Sequence, residues 1–173
     1  MNFLWYIIFA ILGLIILLAL IYFILLYKLK NLNIKLFKYK VEKDLKETNV
    51  MIVYQPSKHG TIEKIVENIK STLNEKNYGY VASTLSENEE DFNSYKYTIF
   101  VAPVYFGEVH NRFIEIINRK KIKNLIFVYN GLNVDSNNED KIVKDHSLSA
   151  YKKIKLHTND IEMIKEFIFK EVK

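Results

Sequence analysis

The sequence predicts an α/β domain with a five-stranded parallel, doubly wound sheet, preceded by one transmembrane helix. Two observations support this fold class, and a third limits what can stabilise it. A long apolar segment without charges lies in the N-terminal part of the 173-residue chain. Beyond residue 49, short apolar runs alternate with segments whose apolar residues recur at helical spacing, which is typical of β-α-β units. Cysteine is absent, so neither disulfides nor cysteine-ligated metals can stabilise the chain.

The apolar segment runs from Phe3 to Tyr27 and contains 25 residues without a charged side chain. As a helix it would be about 37 Å long, which exceeds the hydrocarbon thickness of about 30 Å. Aromatic residues near both ends suit the headgroup level. A cleaved signal peptide would have a shorter apolar region, a preceding positive charge and a small-residue cleavage site. We therefore expect an uncleaved membrane anchor over residues 1–27.

The basic excess of the chain follows this segment directly. The formal net charge is +5, and residues 28–48, with seven lysines against three acidic residues, carry +4 of it. By the positive-inside rule these lysines place the C-terminal domain in the cytoplasm, on a single-pass anchor in the cell membrane. Residues 28–48 are either a basic juxtamembrane stalk or a strip lying on anionic lipid. Since residues 49–173 are nearly neutral, no nucleic-acid partner is expected.

Strand and helix patterns alternate along residues 49–173. Strands are predicted at Val50–Tyr54, Tyr80–Ser83, Tyr97–Ala102, Asn124–Tyr129 and Ala150–Leu156. Helices are predicted at Ile62–Lys76, Val109–Arg119, near Glu139–His146 and at Asp160–Lys170. The first, third and fourth strands are the most apolar and are expected at the centre of the sheet. The last strand carries alternating lysines, which indicates an edge.

Three loops follow the three most apolar strands, at Gln55–Thr61, Pro103–Glu108 and Asn130–Asn133. In doubly wound sheets the ligand lies beyond the carboxyl ends of the strands, where the strand order reverses. We therefore expect these three loops to form one site.

The first loop has the composition of a phosphate site. Ser57 and Thr61 carry hydroxyl donors, Gly60 lets backbone N–H groups approach a ligand, and the next helix contributes its positive N-terminal dipole. Lys58 and His59 can add charge-assisted contacts to an anion. The alternative is an ordinary strand-to-helix turn with Thr61 as the cap.

Two stretches resemble the flavodoxin-like family. Residues 54–65, Y-Q-P-S-K-H-G-T-I-E-K-I, are similar to its phosphate loop, except that Lys58 and His59 replace two small residues. Residues 101–113, V-A-P-V-Y-F-G-E-V-H-N-R-F, are similar to its second flavin loop, and their Y-F-G-E-V-H part also resembles the protoporphyrinogen-oxidase-like flavodoxins. The resemblance covers residues 49–173 and implies FMN as the cofactor.

The resemblance also implies flavin contacts from the second and third loops. The candidate residues there are Val104, Tyr105, Phe106, Gly107, Asn130, Gly131 and Leu132. The rings of Tyr105 and Phe106 would form a flat wall for the isoalloxazine, or else would only plug the top of the sheet. The Phe106–Gly107 peptide is similar to the one that turns towards flavin N5 on reduction, and residues 130–132 would approach the pyrimidine edge.

The four histidines are scattered without the spacing of a metal site, so no metal is expected. His110, beside the second loop, is a candidate proton donor to a quinone or porphyrinogen, or else a helix cap. No P-loop lysine motif of NTPases and no nucleophile elbow of hydrolases occurs.

Three functions remain open from the sequence. The first is a membrane-tethered FMN protein that carries electrons between redox partners at the cytoplasmic membrane face. The second is an FMN-dependent oxidoreductase acting on a quinone or porphyrinogen. The third is a flavin-free scaffold that keeps the fold and binds a protein partner.

Overall fold

The computed structural model describes residues 3–30, 41–43, 47–57, 59–86, 91–104, 109–131, 151–156 and 161–173. The chain forms two compact units, Met1–Leu32 and Asn33–Lys173. The first unit contains helix α1, Phe3–Lys30. Its stretch Trp5–Leu25, 21 residues with a mean hydropathy of 3.2 and no burial within the protein, is long and apolar enough to cross a membrane. This length and composition are consistent with the predicted anchor.

The second unit contains a sheet of six strands and three α-helices among the described residues. The strands are β1 (Val41–Lys43), β2 (Thr48–Tyr54), β3 (Gly79–Thr84), β4 (Tyr97–Pro103), β5 (Leu125–Asn130) and β6 (Lys152–Leu156). The helices are α2 (Thr61–Glu75), α3 (Asn111–Lys120) and α4 (Ile161–Glu171), and Phe92–Ser94 forms a 3₁₀ turn. These boundaries agree with the predicted ones to within two residues. The helix predicted near Glu139–His146 lies outside the described residues.

The strands are arranged in the order β1-β3-β2-β4-β5-β6. The five strands from β2 to β6 pair in parallel, which confirms the predicted fold class. β1 pairs with β3 in the antiparallel sense, with Val41 opposite Ser83 and Lys43 opposite Val81. The sequence did not indicate this strand, which lies in the range predicted as a stalk. A short, exposed, charged edge strand is one way in which proteins cover the open side of a sheet.

Each face of the sheet is covered by different helices, as a doubly wound fold requires. Apolar residues of α2 and α4, such as Ile69 and Ile164, pack with Val50 and Ile52 of β2 on one face. On the other face Phe113 of α3 packs with the alternate residues of the strands. Because strand side chains alternate between faces, the apolar central strands supply both cores.

The core under α3 is built on aromatic rings. The ring centroids of Phe100 and Phe113 are 5.3 Å apart, and Phe113 in turn lies 6.1 Å from Phe127. Phe92 and Tyr129 extend the series at its two ends, 5.7 Å from Phe100 and 5.8 Å from Phe127. Tilted and edge-on ring contacts at these distances stabilise a core beyond the area that they bury. They join α3 to the middle of β4 and β5, where Phe100 lies opposite Phe127.

Candidate functional site

The strand order reverses between β2 and β4, because the chain leaves β2 for β3 on one side and then returns past β2 to β4. At the carboxyl edge Tyr54 of β2 lies opposite Val101 of β4, and Pro103 of β4 lies opposite Asn130 of β5. The three predicted loops therefore leave neighbouring strands at one edge of the sheet, as expected. This edge is the switch point at which doubly wound sheets bind ligands.

Backbone hydrogen bonds beyond the strand ends fix where each loop begins. The Gln55 N–H donates to the Val101 carbonyl at 3.0 Å, and the Val104 N–H donates to the Asn130 carbonyl at 2.7 Å. The side-chain amide of Asn130 donates to the Leu156 carbonyl at 3.0 Å. The side chain of Asn130 thus ties β5 to β6, while Val104 is buried at the base of its loop.

The first loop turns into α2 at Gly60. Gly60 is the N-cap of α2 and has φ 70°, in the left-handed region that favours glycine. Its N–H donates to the Ser57 carbonyl at 3.2 Å, and its own carbonyl accepts from Lys64 N at 3.1 Å. Thr61 is the first residue of the helix rather than its cap, and its hydroxyl is not bound to another described residue. His59 is exposed in the same turn.

Ser57 supplies the capping oxygen, because its Oγ accepts from the Ile62 N–H at 3.0 Å. The Ser57 hydroxyl in turn donates to Glu63 Oε2 at 2.9 Å, and the Ser57 N–H lies 3.2 Å from Oε2 and 3.3 Å from Oε1. Glu63 was not among the predicted site residues. A carboxylate in the first turn of a helix, where it can reach back to the preceding loop, is the sequence signal that could have indicated it.

The donors of this loop suit a phosphate. An N–H and an O–H on Ser57 converge on one pair of anionic oxygens, next to the positive end of a helix. The Thr61 hydroxyl, which binds no described residue, and the imidazole of His59 lie at the same helix terminus. The anion that Ser57 binds in this structure is the Glu63 carboxylate of the chain itself, and the phosphate site stays a prediction.

Gln55 lies between the end of β2 and this loop. Its side chain is almost fully buried, with 4 % of the residue exposed, and its Oε1 has no hydrogen-bond partner among the described residues. A buried acceptor without a donor costs about 1–3 kcal/mol. A ligand hydroxyl or N–H at the base of the loop would satisfy this oxygen. The signal in the sequence is a glutamine directly after a buried strand.

Charged groups surround the end of β2 on the α2 face. Lys70 of α2 is buried and donates to Glu42 of β1 at 2.5 Å and to Glu67 at 2.8 Å. Burial lowers the pKa of Lys70, but the hydrogen bonds with the two carboxylates outweigh it, so that the pKa is raised. Burial raises the pKa of the Tyr54 phenol. The positive charge of Lys70 opposes this rise, and the negative charge of Glu63 adds to it. Tyr54 is therefore neutral at physiological pH.

His110 is buried at the start of α3 and is its N-cap. Its Nδ1 accepts from the Arg112 N–H at 3.1 Å, which confirms the capping role, while proton donation through Nε2 stays a prediction. Gly131 is also buried, directly after β5. The other predicted contacts, Lys58, Tyr105, Phe106, Gly107 and Leu132, lie outside the described residues, and the aromatic wall stays a prediction.

A doubly wound parallel sheet with an anion-holding loop at its switch point defines an α/β domain of the kind that binds nucleotides or flavins. A family model described as a flavodoxin domain matches residues 51–162 of the chain. The protein therefore belongs to the flavodoxin-domain family. The comparison with curated protein sequences gives no match.

Solved structures of flavodoxins share the fold. Flavodoxin 2 from Bacillus cereus is 17% identical, with a TM-score of 0.53 over 73% of this chain and 100% of its own. A short-chain flavodoxin associated with a bacterial microcompartment is 15% identical, with a TM-score of 0.55 over 73% of this chain and 97% of its own. An NADPH-quinone reductase from P. pentosaceus is 9% identical, with a TM-score of 0.51 over 72% of this chain and 98% of its own.

Proposed function

We propose that this protein binds FMN and carries electrons between redox partners at the cytoplasmic face of the cell membrane. The observation that carries the proposal is the anion-holding loop of Ser57 at the switch point of a flavodoxin-domain sheet. FMN would supply the one- and two-electron chemistry. The protein would supply binding, orientation and a tuned environment for the flavin.

The phosphate of FMN would be held by the first loop. Ser57 and Thr61 offer hydroxyls, Lys58 and His59 offer positive or neutral donors, and Gly60 gives the turn that leads into the helix. Gln55 has a buried oxygen that can accept from a ribityl hydroxyl. The ring would lie between Val104–Gly107 and Asn130–Leu132, at the ends of β4 and β5. The positions of Gln55, Val104 and Asn130 at the carboxyl edge support these contacts.

Tethering to a membrane is supported by α1. Helix α1 has the length and hydropathy of a span. Because β1 is antiparallel to β3, its first residue, Val41, lies opposite Ser83, next to the last residue of β3. The chain therefore enters the sheet at the carboxyl edge, which is also the edge of the proposed flavin site. A tether raises the effective concentration of membrane partners around the domain.

The carrier role is favoured over an oxidoreductase that protonates its substrate. The oxidoreductase would need a proton donor near the second loop, and His110 is the candidate that the sequence offers. Nδ1 of His110 accepts a helix N–H, which leaves Nε2 as the donor of the ring, but the side chain is buried, so that a bound substrate has little access to it. A flavin-free scaffold remains the contrasting function, because the Glu63 carboxylate can stabilise the same loop without a cofactor.

Electron transfer from the FMN-loaded full chain in detergent micelles tests the proposal. After anaerobic reduction with dithionite and removal of the reductant, a carrier is expected to reduce cytochrome c, a one-electron protein acceptor. Steady-state turnover of a menaquinone analogue or of protoporphyrinogen would instead support the oxidoreductase. Failure to take up FMN would support the scaffold. Catalytic turnover without reduction of a protein acceptor contradicts the carrier role.

A further inference from the structure

The carboxylate of Glu63 lies where an anionic ligand of the first loop would lie. Its Oε2 accepts from the Ser57 hydroxyl at 2.9 Å and from the Ser57 N–H at 3.2 Å. Charge-assisted hydrogen bonds of this kind, from a backbone N–H and a hydroxyl at a helix N-terminus, are also the contacts by which loops hold phosphate. The chain thus offers its own anion to the donors that the cofactor phosphate would use.

While Ser57 binds the Glu63 carboxylate, neither its N–H nor its O–H is available to another acceptor. A hydroxyl carries one proton, and so does a backbone amide. Both protons are directed at Glu63, and the hydroxyl oxygen already accepts from the Ile62 N–H at 3.0 Å. A phosphate oxygen that binds Ser57 must therefore displace the carboxylate. Two anionic groups in one loop also repel each other, and this repulsion increases as water is excluded.

We propose that Glu63 is a competitor of the FMN phosphate that is built into the chain. This inference rests on the proposed function. Without phosphate, the carboxylate binds Ser57 and keeps the loop in its anion-holding form. When phosphate binds, the side chain of Glu63 rotates away, which its position in the first turn of α2 and its partial exposure allow. The carboxylate thereby reduces the preference of the site for FMN over riboflavin, which lacks the phosphate.

The variant Glu63→Gln tests this role. It removes the charge but keeps a side-chain oxygen that can accept from Ser57. The Kd values for FMN and for riboflavin are measured on the full chain in detergent micelles by quenching of flavin fluorescence. The Kd for FMN is expected to fall about tenfold, the scale of one unfavourable charge interaction, while the Kd for riboflavin changes less than about twofold. Unchanged circular dichroism would establish that the variant is folded.

Glu166→Gln is the matched control. Glu166 is exposed on α4 and outside the loop, and this substitution changes the net charge by the same amount. Its two Kd values should equal those of the wild type. If Glu166→Gln tightens FMN binding as much as Glu63→Gln does, the effect is one of net charge and the inference is overturned.

Three further outcomes overturn the inference while leaving FMN binding itself established. The first is unchanged FMN binding by Glu63→Gln, and the second is weaker FMN binding by this variant. The third is an equal change in the Kd for FMN and for riboflavin, because an effect through the phosphate must be absent for riboflavin. If none of the three proteins binds FMN, the proposed function fails, and this inference fails with it. The two failures are therefore distinguishable.

Discussion

Lys70 of α2 donates a 2.5 Å hydrogen bond to Glu42 of β1, joining the edge strand to a helix on the face of the sheet. The Lys70 side chain is 6 % exposed, whereas Glu42 and Glu67, its second partner, are 62 % and 69 % exposed. The ammonium group is thus withdrawn from water while its partners remain solvated. This ion-paired group joins β1, the first strand after α1, to the rest of the domain.

We expect removal of the carboxylates to cost more stability than removal of the ammonium. Lys70→Met keeps an apolar stem of similar length and should lower the free energy of unfolding by about 1 kcal/mol. The double substitution Glu42→Gln with Glu67→Gln leaves a buried ammonium without an anion and should cost about 2–3 kcal/mol. Urea unfolding of the variants measures both values. A larger loss for Lys70→Met than for the double variant would contradict this account.

The contribution of Lys70 should depend on pH only in the alkaline range. Its folded-state pKa is raised, so its stabilising effect is fully present below the unfolded lysine pKa of about 10.4 and is lost as the pH rises through the folded value. The difference in unfolding free energy between wild type and Lys70→Met should therefore be constant from about pH 7 to 9 and decrease above about pH 10.4. An increase in that difference as the pH rises towards about 10.4 would show the opposite sign of the pKa shift.

Phe113 should be among the most sensitive positions in the core. Its ring lies between those of Phe100 and Phe127 and is fully buried, so Phe113→Ala leaves a cavity and should cost about 3–5 kcal/mol. Phe169→Ala is the control, because Phe169 is 47 % exposed and contacts the Lys76 ammonium at 4.8 Å. It should cost about 1 kcal/mol or less. Equal losses in chemical denaturation would refute the aromatic core.

Position 60 has room for a larger side chain, but its backbone conformation should disfavour residues other than glycine. A Cβ at Gly60 would meet no atom within 4 Å, so the cost of substitution comes from its φ of 70° alone. Gly60→Ala should lose about 1–2 kcal/mol, and Gly60→Asn less, because asparagine adopts the left-handed region more readily. Thermal unfolding of both variants measures this order. Equal losses would indicate that the backbone conformation of Gly60 does not limit stability.

The Thr61 hydroxyl should bind the phosphate of FMN rather than the isoalloxazine ring. Thr61→Ala removes a hydroxyl that is not bound to another described residue, so FMN binding should weaken about tenfold while riboflavin binding is unchanged. Ser71→Ala, an exposed hydroxyl further along α2, is the matched control. Calorimetry with FMN and with riboflavin separates the contribution of the phosphate to binding from that of the rest of the flavin. Unchanged FMN affinity in Thr61→Ala would show that the phosphate lies elsewhere.

The sequence predicted the parallel strands and the helices because their patterns are local. Runs such as Tyr97–Ala102 are apolar on both faces, and the apolar residues of α2 recur at helical spacing. β1 could not be predicted in this way, because V-E-K is too short to show a hydrophobic period. It becomes a strand by pairing with β3. Tertiary contacts override local preference at such edges.

The site was predictable in position but not in detail. Its three loops follow from the strand ends and from the switch point, which are properties of the topology. The bond between Ser57 and Glu63 depends on how the loop folds back over the first turn of α2, and residue types alone do not determine it. The burial of Gln55 is likewise a consequence of packing.

Binding of FMN to the full chain tests the central claim most directly. Isothermal titration of the protein in detergent micelles, together with quenching of flavin fluorescence, gives the stoichiometry and the Kd. The account predicts one FMN per chain with a micromolar or lower Kd, and weaker binding of riboflavin. A colourless protein without a heat of binding at micromolar FMN would contradict it.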